Sequence, residues 1–247
     1  MTVITSLQNP TIKFIRSLAQ KKHRQESGLF TAEGRAMLAR ARREDWTPET
    51  IVSTKPELDW GRAKHLTVSA QVMATLSAQD NANDIVGVFA QRYGETIAPE
   101  GLWLALEEIR DPGNLGTIIR TADAAGAKGI VLVGPCCDAF SPEAVRATTG
   151  SIFAMPIVRR ERDVFIEELK SWPGDIVATR MDAAEDFRRS YRPPVMLLIG
   201  SESTGLSDAL AAAANISVRI PMAPGPESLN VAAAAALMLY AIAKPGV

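Results

Sequence analysis

Asn114, Arg120, Glu202, Ser228 and Asn230 all follow closely on short apolar runs that break into Gly, Pro and polar residues. The runs are 102–106, 195–199 and 216–220, and a helical pattern follows each break. Short strand-like runs with polar loops at their ends are the pattern of an α/β sheet that carries its site there. Loops of this kind are where binding and catalytic side chains concentrate. Three such transitions imply one shared site, where amides, a carboxylate, a hydroxyl and a guanidinium converge. In the first break, Asp111-Pro112-Gly113-Asn114-Leu115-Gly116, the glycines permit positive φ and close approach of backbone to a ligand. It lacks the Lys-Ser/Thr pair of a P-loop and is not a dinucleotide fingerprint.

Each residue also has a plainer role. Asn114 could be the N-cap of the helix after it, and Ser228 the cap of the charge-free stretch 231–243. Glu202 could cap a helix beginning near Leu206. Arg120 stands among Ile118, Ile119 and Ala122, where a buried guanidinium would need Glu202 or Asp123 as its partner. Pro221, Pro224, Gly225 and Pro226 stiffen the third break, which suits an enclosure around a flat ligand better than a simple turn.

The elements that must position these residues form an α/β unit over 102–247. Its further strands are expected at 130–133, 157–158 and 176–179. Helices are expected up to Ala125, from Pro142 behind a Ser141 cap, and over 164–170. Residues 1–92 read as a smaller α/β unit. Ile12, Ile15, Leu18 and Ala19 repeat at helical spacing, with Lys13, Arg16, Lys21, Lys22 and Arg24 on the other faces. A short strand or turn follows at 30–34, strands at 51–53, 66–68 and 85–89, and helices at 36–43 and 69–76. The polar stretch 93–101, with Gly and Pro, reads as a linker.

The 247 residues carry a net charge of −1, yet nine Lys/Arg face two Glu up to Arg43, a local charge of +7. A basic segment on a near-neutral chain suggests contact with a polyanion, most simply nucleic acid, against the plainer reading of a solvated helix face. The adjacent Cys136 and Cys137 suit neither a disulfide framework nor a four-thiolate metal site, so no metal is expected and a reducing, cytoplasmic setting fits. No signal-peptide core is visible at the N-terminus, and 231–243 is too short to span a bilayer, so no membrane partner is expected.

The stretches DPGNLGTIIRTADAAGAKGIVL, LLIGSESTGLS and IPMAPGPESLNVAAAAALMLYA resemble, in order and spacing, the three motifs of the SpoU (TrmH-like) family of RNA ribose 2′-O-methyltransferases. The linking FSPEAVRATTGSIFAMPI is similar to that family too, so the resemblance covers about 102–243. The N-terminal ITSLQNPTIKFIRSL and GLFTAEGRAML resemble its small α/β RNA-substrate-binding domain. The resemblance implies a SPOUT α/β fold with a C-terminal deep trefoil knot, an S-adenosylmethionine cofactor bound bent in the knot loops, and a homodimer formed through the catalytic domain with a composite active site. It implies cofactor binding by Gly200, Ile220, Met222, Ser228 and Leu229, and a catalytic set of Asn114, Arg120, Glu202, Ser228 and Asn230. RNA phosphates would meet Lys13, Arg16, Lys21, Lys22, Arg24, Arg40, Arg42 and Arg43. The expected substrate is ribosomal RNA ahead of transfer RNA. One departure stands out: the family commonly has Glu-Gly where this chain has Glu202-Ser203, so a positive φ there would strain Ser203. Two rivals remain. A nicotinamide-dependent oxidoreductase would need the dinucleotide fingerprint that is missing. A non-catalytic RNA-binding relative would have lost the polar loop residues, and they are all present.

Overall fold

The computed structural model describes residues 3–55, 60–77, 83–225 and 228–243. The chain divides into two compact units, Met1–Arg92 with Asp138–Ala154, and Tyr93–Cys137 with Met155–Val247.

The first unit opens with α1 (Pro10–Ser17) and α2 (Lys21–Ser27). Asn9 caps α1, its Oδ1 accepting from Thr11 N at 3.0 Å and Ile12 N at 3.3 Å, and Pro10 fills the first turn. The sequence predicted one basic helix running through Arg24. The structure breaks it instead, because Leu18 is fully buried and Arg24 turns inward. Arg24 Nη1 donates to Leu18 O and Ala19 O, both at 2.8 Å, and so satisfies carbonyls left open at the end of α1. Then come β1 (Leu29–Glu33), α3 (Arg35–Arg43), β2 (Thr50–Ser53), β3 (Lys64–Thr67), α4 (Ala70–Ala74) and β4 (Ile85–Ala90). The four strands make one mixed sheet in the order β1-β4-β2-β3.

The second unit begins at residues 93–101, which are not free chain. Gly94 N donates to Ile157 O at 2.8 Å, and Arg159 stands 4.5 Å over the Tyr93 ring. β5 (Leu102–Glu107), α5 (Pro112–Ala124) and β6 (Gly129–Val133) follow. The segment 138–154, with α6 (Pro142–Thr148) and a single 3-10 turn, then returns to the first unit and completes its core. Phe140 and Phe153 join Phe30, Phe89 and Trp46 in a cluster with ring centroids 4.7–6.2 Å apart. Back in the second unit, the chain adds β7 (Ile157–Arg160), α7 (Arg162–Leu169), β8 (Ile176–Thr179), β9 (Glu185–Asp186), β10 (Val195–Ile199), α8 (Asp208–Ala212), β11 (Ile216–Arg219) and α9 (Val231–Ala243).

Seven parallel strands run in the order β7-β6-β5-β10-β8-β11-β9. Every residue of β5, β6 and β10 is buried, which explains sequences that are apolar up to Glu107 at the end of β5: a parallel sheet covered on both faces has no polar side. β5 lies beside β10, and α9 packs on α5 and β10. The three strand ends singled out in the sequence, those of β5, β10 and β11, thus open on the same edge of one parallel sheet. Among the described residues no helix is long and apolar enough to cross a membrane.

Candidate functional site

The stretch 111–116 is a helix start, not a loop. Asp111 is the N-cap of α5, its Oδ1 accepting from Asn114 N at 2.6 Å, and Gly113 and Gly116 are helical. The cap predicted for Asn114 therefore belongs to Asp111, and the Asn114 side chain is released for other work. Its Nδ2 donates to Glu202 Oε1 at 2.6 Å, and its Oδ1 accepts from Asn230 Nδ2 at 3.0 Å. Asn230 in turn caps α9 through Oδ1, which accepts from Ala232 N at 2.9 Å and Ala233 N at 3.3 Å. That cap had been expected of Ser228. One directional chain of hydrogen bonds thus ties α5, the loop after β10 and the start of α9. Nor does Glu202 cap a helix; Ser207 caps α8 through Leu210 N.

Beside this chain lies a cavity of about 390 Å³, in the range of small-molecule sites. Gly200, Ile220, Met222, Ser228 and Leu229 all line it, as does Glu202. Met222 and Leu229 leave over a third of their surface open, which gives the cavity apolar walls. The Gly200–Leu206 hairpin forms another wall and closes tightly: a Cβ on Gly200 would lie 2.0 Å from the Gly205 carbonyl carbon, so no larger residue fits there. The left-handed residue of that hairpin is Gly205, at φ +66°, and Ser203 takes an ordinary φ without strain. Pro221, Pro224 and Gly225 are exposed; Pro226 lies outside the described residues.

A buried carboxylate that sequence reasoning passed over holds the hairpin in place. Glu107, 2% exposed at the end of β5, accepts from Ser207 N at 2.7 Å, Ser207 Oγ at 2.8 Å and Arg162 Nε at 2.5 Å. Arg162 also donates to Glu108 at 2.6 Å, and the Glu107 hydrogen bond raises the guanidinium above its usual pKa. A charged residue inside an apolar strand, LALEE, was the signal available. Thr179 was missed as well. It lines the cavity at the end of β8, and its Oγ1 is buried with no partner among the described residues. Next to it, Arg180 pairs with Asp182 at 2.8 Å and pulls that carboxyl below the usual range. Among the described residues no cluster of three His, Cys, Asp or Glu side chains could hold a metal ion.

Arg120 stands apart from this network. It is exposed, so the burial that would have demanded Glu202 or Asp123 does not arise, and it has no partner among the described residues. Six residues after Asn114, it leaves α5 about 120° around the axis from that side chain. In the first unit, Lys13, Arg16, Lys21, Lys22, Arg42 and Arg43 are exposed. Arg40 is half-buried and bonded to Glu44 at 2.7 Å. Arg24 must be withdrawn as a phosphate contact: it is 3% exposed, and beyond the two carbonyls its Nε and Nη2 reach Asp138 Oδ2 at 2.9 and 2.7 Å.

Residues 101–240 match the model of the SpoU rRNA methylase family. The chain belongs to the SpoU rRNA methylase family. Its residues 9–87 match the MRM3-like substrate-binding domain. An uncharacterized tRNA/rRNA methyltransferase of Synechocystis is 33% identical over 96% of this chain and 92% of its own. The 23S rRNA (guanosine(2553)-2′-O)-methyltransferase RlmP of Bacillus subtilis is 29% identical over 97% of this chain and 98% of its own. A crystal structure of an AdoMet-bound rRNA methyltransferase from Sinorhizobium meliloti superposes with a TM-score of 0.94 at 42% identity, covering all of this chain and 98% of that one. The seven-stranded unit therefore has the SPOUT fold of SpoU enzymes. The three stretches that resemble SpoU motifs lie here at the β5–α5 junction, the β10 hairpin and the β11–α9 loop; the Asn114 chain joins all three, and the last two line the cavity.

Proposed function

We propose that this protein is an S-adenosylmethionine-dependent methyltransferase that modifies a ribose 2′-hydroxyl in ribosomal RNA, in the cytoplasm. The observation that carries the reading is the hydrogen-bonded chain Glu202–Asn114–Asn230 at the rim of the cavity formed by the second and third SpoU motifs. It gains from the AdoMet-bound relative and from the rRNA methyltransferases to which the whole chain is similar.

The cavity fits the cofactor by its chemistry. Its apolar side chains Ile199, Leu206, Ile220 and Leu229 suit a purine ring, and the unpartnered Thr179 hydroxyl offers a buried polar group to a polar ligand. Gly200, Ile220, Met222, Ser228 and Leu229 would hold it. The cofactor supplies a methyl group already activated on a sulfonium. What remains for the protein is to place the 2′-oxygen in line and to ease loss of its proton. A guanidinium makes no general base, so Arg120 is given the role of steadying the developing oxyanion or a neighbouring phosphate. Glu202, whose Oε1 is held by Asn114, presents Oε2 to the departing proton, directly or through water. Ser228 and Asn230 orient the nucleotide.

Among the described residues Arg120 bonds to none of these groups, which fits a site completed across a homodimer of the catalytic unit. Two features support this. α9 leaves Leu237 and Tyr240 exposed, 43% and 48%, on a helix without a charge, and α5, which bears Arg120, packs beside it. An uncharged helix face this open is uncommon on a monomer. The exposed Lys and Arg of the first unit would hold RNA phosphates, that unit acting as the substrate-binding domain and the second unit as the catalytic one.

The deciding experiment incubates the protein with labelled S-adenosylmethionine and ribosomal RNA lacking modifications, then maps the label. Transfer to one ribose 2′-oxygen is expected. Cofactor binding with no transfer to ribosomal or transfer RNA would replace this reading with that of a non-catalytic RNA binder.

A further inference from the structure

A second cavity, of about 380 Å³, opens in the first unit where α3 turns toward β2. Arg42, Asp45, Trp46, Thr47, Trp60 and Gly61 line it. Trp46 is a fixed wall. It is 9% exposed, its Nε1 donates to Phe153 O at 2.8 Å, and it packs edge-on against Phe30 and Phe153. Trp60 is the looser wall, half-buried, with the Arg42 guanidinium 5.5 Å from its ring centroid. That is within cation–π range and beyond stacking contact. Asp45 also lines the cavity, at φ +55° in the left-handed turn that ends α3. Its carboxylate has no hydrogen bond or ion pair among the described residues.

We propose that this cavity binds one unpaired guanine base of the RNA substrate. The inference rests on the RNA reading above and adds to it a base-specific contact far from the methyl-transfer residues in sequence. The half-buried Trp60 indole can stack on any base, which is how unpaired RNA bases are commonly held, while Trp46, whose ring already carries Arg92 at 4.1 Å, is the buried floor. The carboxylate makes the choice among bases. Guanine presents two adjacent N–H donors, N1–H and N2–H, on its Watson–Crick edge, which one carboxylate can accept together. Uracil offers a single N–H there. Adenine and cytosine each place an acceptor nitrogen beside the amino group, and that lone pair would face the carboxylate. A guanine in a duplex has this edge occupied, so the base must be unpaired. Arg42 takes its phosphate, and the neighbouring exposed Arg43, Arg62 and Lys64 extend the cationic rim.

The test uses the full chain and labelled single-stranded hexaribonucleotides, all-uridine or with one central guanosine, read by fluorescence anisotropy. The guanosine oligomer should bind several-fold more tightly than the all-uridine one. Trp60→Ala should weaken its binding about tenfold, and Trp60→Phe should keep most of it. Asp45→Asn, tolerated at positive φ, should abolish the preference for guanosine while the all-uridine affinity holds. Titration of ribosomal RNA and S-adenosylmethionine with the same proteins separates the possible failures. A wild-type protein that binds ribosomal RNA but has no guanosine preference, or a Trp60→Ala protein with unchanged affinity, overturns the pocket and leaves the enzyme reading standing. A protein that binds cofactor but no RNA at any salt concentration overturns both.

Discussion

Asn230 bonds in two directions: its Oδ1 caps α9 through Ala232 N and Ala233 N, while its Nδ2 donates to Asn114 Oδ1 at 3.0 Å. Capping and site-building use opposite ends of one amide, so substitution can separate them. Asn230→Asp keeps an oxygen for the cap and loses the donor. Stability should change by less than about 1 kcal/mol, since Asp caps as well as Asn. Methyl transfer should fall by at least about tenfold, because Asn114 then faces a carboxylate and turns away from Glu202. Asn230→Ala loses both ends. Thermal melts and kcat/KM on one RNA check this; methyl transfer unchanged in Asn230→Asp would reduce Asn230 to a cap.

Glu107 anchors the cofactor hairpin by accepting from Ser207 N, Ser207 Oγ and Arg162 Nε. Glu107→Gln leaves the backbone bond to Ser207 possible and removes the charge that Arg162 meets. Arg162 is 37% exposed and retains Glu108, so water softens the loss. The expected destabilisation is about 2 kcal/mol, the range of a hydrogen bond to a charged group. S-adenosylmethionine affinity should drop with it, while RNA affinity at the first unit holds. Calorimetric titration with cofactor reads one, filter binding with RNA the other.

Much of the fold could be read directly. The apolar runs that became β5 and β10 were plain because a buried parallel sheet leaves no alternation to disguise them, β11 showed instead the alternation of a half-open strand, and Asn9-Pro10 and Ser141-Pro142 announced their helices. What escaped depended on contacts distant in sequence. The break between α1 and α2 comes from Arg24 finding Asp138, 114 residues away, and nothing local distinguishes Arg24 from its basic neighbours. Placing 138–154 with the first unit rests on Phe140 and Phe153 meeting Phe30, again a long-range event. The two-residue β9 and five-residue α8 are too short for periodicity to reveal. At the site, the residue types were right and several jobs were exchanged: Asp111 took the cap expected of Asn114, and Asn230 the one expected of Ser228. A knot is a property of threading, which no local pattern encodes; only the family resemblance implies it.

Arg24 and Lys21 sit three residues apart and should behave in opposite ways. Arg24→Gln breaks a buried ion pair with Asp138 and should cost about 3–5 kcal/mol of stability. It should leave the salt dependence of RNA binding as it was. Lys21→Gln, at an exposed position, should leave stability alone and lower the slope of log affinity against log salt by about 0.7–0.9. Melting curves and binding titrations from 50 to 200 mM salt, roughly the range where such slopes are clearest, distinguish them.

Asp182 at the cavity wall has its pKa lowered, first by the hydrogen bond from Arg180. A depressed folded-state pKa contributes stability that is present above the unfolded value, near 4, and lost as pH falls through the folded value. The part of folding stability that Asp182 contributes should therefore be constant between about pH 8 and 5, and be lost only below about 4. Asp182→Asn should remove that acid-side step. A step that persists in the variant would assign it to another carboxylate.

Arg120 is the residue whose role depends most on a second copy of the chain. It is exposed and has no partner among the described residues, about 120° around α5 from Asn114. Arg120→Lys retains charge and loses the planar fork, so transfer should drop at least about tenfold with cofactor binding intact. A stronger test follows from the composite site. An Arg120→Ala protein and an Asn114→Ala protein should each be nearly inactive alone. Mixed after mild dissociation, half of the pairs formed at random are mixed, and each mixed pair has one site with both residues native. Activity should then return to about one quarter of wild type if the two variants exchange freely and equally. If Arg120 serves the cavity of its own chain, each mixed dimer carries two defective sites and no activity returns. Size-exclusion chromatography of each variant beforehand ensures that both still form dimers, so that silence in the mixture counts against the shared site.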